Sequence, residues 1–420
     1  MYQVQDSSAL VAGHRALLKE RSSERRVPRT VVLLGLTSLL TDVSSEMVAA
    51  VLPLYLVYAA GFTPLQLGIV DGLYRGAAAF AALASGFAAD RRKRHKEVAS
   101  LGYGLSAACK LALVAAGGAV GAIGAIVMLD RVGKGIRTAP RDALISLSAS
   151  PKALGAAFGV HRAMDTTGAM LGPLLAFGLL ALAPLAFNTV FLVSFCFAVV
   201  GLGVIVLLVP GTSARSVREP GPSMRAAADL LVVPRFRALV VAASLLGIAT
   251  ISDAFLYLAL QRHLELAPLT FPLLFVGASL AYMLLAVPIG RLADRVGRGR
   301  VFLAGYALLL PVYASLLLPA AGIPALVLAL ALVGASYAAT DGVLAALASA
   351  SLEEEVRASG LAVITTATNL ARFLASVGFG ALWTWAGLDV AVMACGIAVA
   401  AAILATAALL IATREQASDA

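Results

Sequence analysis

Along this chain, apolar runs of twenty or more residues alternate with short polar clusters rich in Arg, Lys, Gly and Pro. Cut at those clusters, the pattern predicts helical spans at 31–58, 66–89, 98–119, 122–145, 157–182 and 187–209, then at 236–260, 271–290, 300–319, 324–348, 358–384 and 388–412. Each run is long enough to cross a hydrocarbon core of about 30 Å at about 1.5 Å of rise per residue. A second regularity divides the chain in two. The loop Gly86 to Arg94 (GFAADRRKR) resembles the loop Gly290 to Arg300 (GRLADRVGRGR), and their aspartates, Asp90 and Asp294, lie 204 residues apart, close to half the chain. The polar stretch Ser213 to Met224 reads as a linker between the halves. The expected fold is therefore an all-α membrane protein, twelve transmembrane helices in two pseudo-symmetric six-helix bundles. Its expected parts are an N-terminal tail (1–29), a first bundle (30–210), a linker (211–235), a second bundle (236–412) and a C-terminal tail (413–420).

Composition agrees with a polytopic membrane protein. Of 420 residues, 60% are hydrophobic and 13% charged, and the mean hydropathy is +0.93. A water-soluble domain has no means of hiding that much apolar surface. The net charge of +9 is one-sided. Lys and Arg cluster in the N-terminal tail, from Arg91 to Lys96, from Arg215 to Arg237 and from Arg291 to Arg300, whereas the opposite loops offer Arg262. This is the positive-inside pattern. It leads us to expect both termini in the cytoplasm and removes nucleic acid as the reason for the basic excess. The tail carries Arg15, Lys19, Arg21, Arg25, Arg26 and Arg29 without an apolar core, so the first apolar run is expected to be a span and not a cleaved signal. Cys109, Cys196 and Cys395 lie in apolar segments without metal-ligand spacing.

The spans carry charge where lipid would penalise it. Asp42 lies eleven residues into the first span, roughly 16 Å deep. An intramembrane charge costs about 2.5–3.5 kcal/mol on insertion scales, so it should face protein or water. Ser38, Asp42, Ser45 and Glu46 follow one helical face. Matching stripes are Asp71 with Arg75 in span two, Lys110 in span three, Asp130, Lys134, Arg137 and Arg141 in span four, and His161, Asp165, Gly168 and Gly172 in span five; Arg131 and Asp142 flank the fourth. The second half is drier, with Asp253, Tyr257 and Gln261 on one face of span seven and Thr365, Asn369, Arg372 and Ser376 on one face of span eleven. Phe255, Tyr282, Tyr337, Trp383 and Trp385 suit either a solute surface or interfacial anchoring. The four histidines are expected outside the middle of the membrane.

Two carboxyl groups one turn apart in low dielectric do not both ionise cheaply, so one should hold a proton until a cation approaches. By depth, Arg131 is the expected counter-ion of Asp42 and Glu46. Protons are thus expected in the first half, and solute selection at Arg75, Lys110, Lys134, Arg137, Asp253, Tyr257, Asn369 and Arg372. An enzyme is not indicated: HExxH and GxSxG are absent, and the Gly-Lys-Gly at Gly133 lacks the rest of a phosphate loop. No cofactor is called for. No His or Cys joins Asp42 and Glu46 to make a metal site.

These features resemble the major facilitator superfamily over residues 30–412. The second loop matches that family's G-x-L-a-D-R-x-G-R-x-R signature at Gly290, Leu292, Asp294, Arg295, Gly297, Arg298 and Arg300, while in the first loop Lys93 stands in the inner glycine's place. Arg131 with Gly135 resembles the family's R-x-x-x-G pattern, and Gly168, Gly172 and Pro173 (GAMLGP) resemble the G-x-x-x-G-P motif of its proton-coupled antiporters. The resemblance implies a cytoplasmic latch of Asp90 and Asp142 with Arg91 or Arg94, echoed by Asp294, Arg295 and Arg298. It implies a monomeric secondary transporter in the cytoplasmic (inner) membrane of a bacterium, working by alternating access, with protons, a small-molecule solute and the lipid bilayer as its partners. The expected function is proton-coupled export of a small organic or amphipathic solute. Proton-coupled uptake of an organic anion, or lipid flipping by the same fold, is the alternative.

Overall fold

Long apolar runs leave their backbone polar groups nowhere to bond but within the segment, so they close as helices. The computed structural model describes residues 27–74, 94–150, 153–210, 230–319, 322–352 and 356–415, and among the described residues there is no strand. Ten helices among the described residues are long and apolar enough to cross a membrane. The fourth expected span is an eleventh helix, Val120–Ser148, of sufficient length but more charged. The second is helical over 64–74 and then leaves the described residues. Arg75, Asp90, Arg91, residues 1–26 of the expected tail, most of the linker (211–229) and residues 416–420 also lie outside them.

The other spans are Arg29–Leu54, extended through a wider π-helical turn at Tyr55–Ala59 just after Pro53, His95–Ala115, Leu154–Leu182, and Phe187–Gly203 with Val204–Leu208. In the second half they are Pro234–Ala249 with Asp253–His263, Phe271–Val296, Arg298–Ala307 with Leu309–Leu317, Gly322–Ala350, Arg357–Ala386 and Leu388–Glu415. Span seven, expected to be continuous, is interrupted at Thr250–Ser252. The Thr250 hydroxyl donates to the Gly247 carbonyl at 2.9 Å, and the Ile251 N–H donates to the Tyr313 hydroxyl at 3.0 Å. Side chains thus take over the backbone bonds that a continuous helix would make.

Packing repeats between the halves. Span one packs on five and six, and three on four and six; correspondingly, seven packs on eleven and twelve, and nine on ten and twelve. The halves meet where span five lies along eight and where Gly68 and Gly72 of span two sit against Ser376 and Phe373 of span eleven. At the end bearing the loop between spans one and two, the Leu65 N–H donates to the Thr384 hydroxyl at 3.0 Å and Tyr58 donates to Gln261 at 3.4 Å. Deeper, Ser376 donates to Asp71 at 2.7 Å.

The Gly168–Gly172 pair is a close-packing device for the helix that carries the two acids. Gly168 lies on the Leu39 carbonyl, and a Cβ at Gly172 would come within 2.8 Å of the Val43 carbonyl and of the Glu46 Cβ. Gly178, further along span five, has open space. Gly172→Ala is therefore expected to destabilise by about 1–3 kcal/mol through overpacking, whereas Gly178→Ala should be neutral. Thermal unfolding of the detergent-solubilised variants checks the pair, and equal behaviour would rule out this packing role.

Candidate functional site

Among the described residues, polar side chains gather in two clusters of the first half and around a cavity of the second. In the first half, one cluster joins spans three and four. Asp130 is bonded to both Lys110 and Arg131 and accepts from Ser106, while the Arg131 guanidinium lies 3.9 Å from the centroid of the Tyr74 ring. Lys110 and Arg131 are 1% and 4% exposed. Lys110, expected to contact solute, is thus buried against Asp130, and the ion-pair partner of Arg131 is its chain neighbour Asp130, where Asp42 and Glu46 were expected.

The second cluster joins spans one, four and five. Asp42 pairs with Arg137 at 3.6 Å and faces the Asp165 carboxyl group. Arg137, expected to contact solute, is buried and stacks over Tyr103 at 4.8 Å. Arg141 reaches Asp142 at 3.0 Å, Asp165 at 3.8 Å and the Ser38 hydroxyl at 3.2 Å. Ser38 also bonds His161 at 2.9 Å. His161 is thus buried at the level of Ser38, one turn from Asp42 in the sequence of span one. Glu46 is half-buried. Lys134 lies near both Glu46 and Asp42, yet among the described residues it makes no ion pair within 4 Å. The cluster thus sets Asp42 beside Asp165 among the guanidinium groups of Arg137, Arg141 and Arg162, the last 3.7 Å from Asp165.

In the second half, a cavity of about 250 Å³ opens at the break in span seven. The break contributes Thr250, Ser252 and Asp253, span nine Tyr306, span ten Ser336, Tyr337, Thr340 and Asp341, and span eleven Arg372. Asp253 accepts from the Tyr337 hydroxyl, and Arg372 pairs with Asp341 at 3.2 Å. The cavity thus brings together the expected Asp253 and Arg372. Tyr257 is not in its lining; it is buried with its ring 4.6 Å from Phe275, and Asn369 is half-buried outside the lining. Of the aromatics, Tyr337 lines the cavity, whereas Phe255 and Trp383 pack with Phe379. Asp341 and Ser252 were missed by the sequence reading. A carboxylate inside the apolar run 324–348 was the available signal for the first, and Ser-Asp as a helix start within 236–260 for the second.

Of the expected latch, Asp90 and Arg91 lie outside the described residues, Arg94 is exposed just before span three, and Asp142 bonds its neighbour Arg141. Asp294 pairs with Arg298 at 2.8 Å across Gly297, whose φ of 108° only glycine adopts readily; Arg295 is exposed.

A family model described as Major Facilitator Superfamily matches residues 34–260 and 238–420. An uncharacterised MFS-type transporter of Methanocaldococcus jannaschii is 32% identical over 381 residues, covering 87% of this chain and 92% of that protein. An uncharacterised protein of Mycobacterium tuberculosis is 37% identical over 154 residues, 37% of either chain. Among solved structures, the nucleoside transporter NupG superposes with a TM-score of 0.78 at 14% identity, covering 91% of this chain and 100% of that one. The peptide transporter POT gives 0.74 at 18% identity, with 92% and 95% covered. The human organic anion transporter TETRAN gives 0.60 at 17%, with 90% and 100% covered. At these identities the likeness is one of fold.

Proposed function

The chain belongs to the major facilitator superfamily, and from that premise we propose that this secondary transporter exchanges protons for a small organic solute and works as an exporter. The halves at 30–210 and 236–412 rock about the contacts of span five with eight and two with eleven, with both termini in the cytoplasm and the chain in a bacterial cytoplasmic membrane. Protons are handled by Asp42 and Glu46, solute by the cavity of the second half.

One observation carries this reading: Asp42 and Glu46 lie one turn apart on span one, with Asp42 held by Arg137 at 3.6 Å and Lys134 nearby making no ion pair within 4 Å among the described residues. In low dielectric the ionised form of either acid depends on how near a cation lies. A small shift of span four toward span one would favour release of a proton from Asp42 or Glu46, and the reverse shift its uptake. If one conformation of the halves favours each arrangement, proton and solute movements become linked. Export is supported by the GAMLGP stretch, which sets span five against the segment Leu39 to Met47.

Arg372 favours a second reading, proton-coupled uptake of an organic anion. Arg372 is already paired with Asp341, however, and Asp253 adds a further carboxylate to the same wall. An anion would have to displace one carboxylate in view of another, so the exporter reading is the better supported. The test is a screen in proteoliposomes with an imposed pH gradient. An organic solute should collapse the gradient only when the protein is present, and solute flux that ignores pH throughout would refute proton coupling.

A further inference from the structure

The break in span seven gives its cavity a definite sign. Asp253 and Asp341 stand there against one guanidinium, Arg372, so the ionised lining is net negative. The helix ends add to it. Asp253 sits in the first turn of Asp253–His263 and offsets the positive end of that segment, whereas Pro234–Ala249 directs its negative, carbonyl-bearing end at the break. An independent feature points to a bound molecule. Ser252 is 8% exposed and lines the cavity, yet its Oγ is buried with no hydrogen-bond partner among the described residues. A buried hydroxyl is normally satisfied by protein, water or ligand.

We infer that this cavity binds a small organic monocation, a protonated amine that also carries hydrogen-bonding groups. Its ammonium group lies between Asp253 and Asp341, and a hydroxyl or amide of the solute bonds Ser252 Oγ. Tyr306 and Tyr337 close the sides with ring surface and phenol oxygens, and the volume of about 250 Å³ suits a solute of hexosamine size. Arg372 acts as a positioning residue that keeps Asp341 turned to the cavity. The inference rests on the transport reading above and names the solute class for it.

The test is equilibrium binding to the full chain in lipid nanodiscs, without any gradient. Two sets of probes of matched shape are used: glucosamine, glucose and gluconate, and tyramine, 4-ethylphenol and 4-hydroxyphenylacetate. The amine of at least one set is expected to bind about tenfold or more tightly than its neutral partner, with the carboxylate weakest. Ser252→Ala should weaken that amine by about three- to tenfold, the loss of one hydrogen bond. Asp253→Asn combined with Asp341→Asn turns the lining net positive, so this variant should take up the carboxylate member and lose the amine, a gain that misfolding cannot imitate. The inference is overturned if neither amine binds at millimolar concentration, if a carboxylate binds the native protein as well as its amine, or if the double variant keeps the amine preference. Failure here leaves proton coupling standing, and amine binding without proton-linked flux would sink the coupling reading alone.

Discussion

Asp42→Asn together with Glu46→Gln is expected to abolish uphill transport driven by a pH gradient while leaving equilibrium exchange of solute measurable. Both substitutions keep size and hydrogen-bonding shape, so the tight contact of spans one and five at Gly168 and Gly172 stays intact. They remove the two ionisable groups of the span-one stripe, one of which pairs with Arg137. A gradient of one pH unit is worth about 1.4 kcal/mol per proton, so a one-proton exchanger builds a solute ratio of about tenfold. The variant should stay near unity. Steady-state solute ratios in proteoliposomes, with counterflow as the measure of exchange, decide the matter. A double variant that still concentrates solute would make both acids structural and transfer the coupling role to Asp165 or Asp253.

The second large effect is on stability. Asp130→Asn should destabilise the protein by about 3–5 kcal/mol, because Lys110 and Arg131 would remain buried with their shared counter-ion gone. Adding Lys110→Met should restore part of the loss by removing one orphaned charge. By contrast Asp142, 44% exposed, pairs with Arg141 near water, and Asp142→Asn should change stability by no more than about 1 kcal/mol. Thermal unfolding in detergent measures all three. A stable Asp130→Asn protein that has lost transport would assign this cluster to function and not to folding.

The spans were legible because lipid imposes one rule, an apolar run of sufficient length, and ten helices among the described residues obey it. The halves were legible because a loop recurs at half the chain. Partners of the buried charges were not. Asp42 and Arg131 were matched by depth, but depth says nothing of azimuth around a helix. Arg131 and Arg137 are six residues apart and so point about 120° from each other, and it is Arg137 that turns to span one while Arg131 folds back on Asp130. The cavity of the second half was half legible. Asp253 and Arg372 stood out as charges, but the break that gathers them with Ser252 and Asp341 has no Pro or Gly to mark it. It depends on Tyr313 of span nine reaching the Ile251 N–H, a contact that no local pattern contains.

The central claim is that solute and proton move in opposite directions through one cycle. Its most direct test starts with no pH difference at all: proteoliposomes loaded with a pH-sensitive dye and a solute identified by the screen are diluted into solute-free buffer. Solute leaving should draw protons in, so the lumen acidifies, and reversing the solute gradient should make it alkaline. No change in luminal pH, or alkalinisation as solute leaves, would contradict the account.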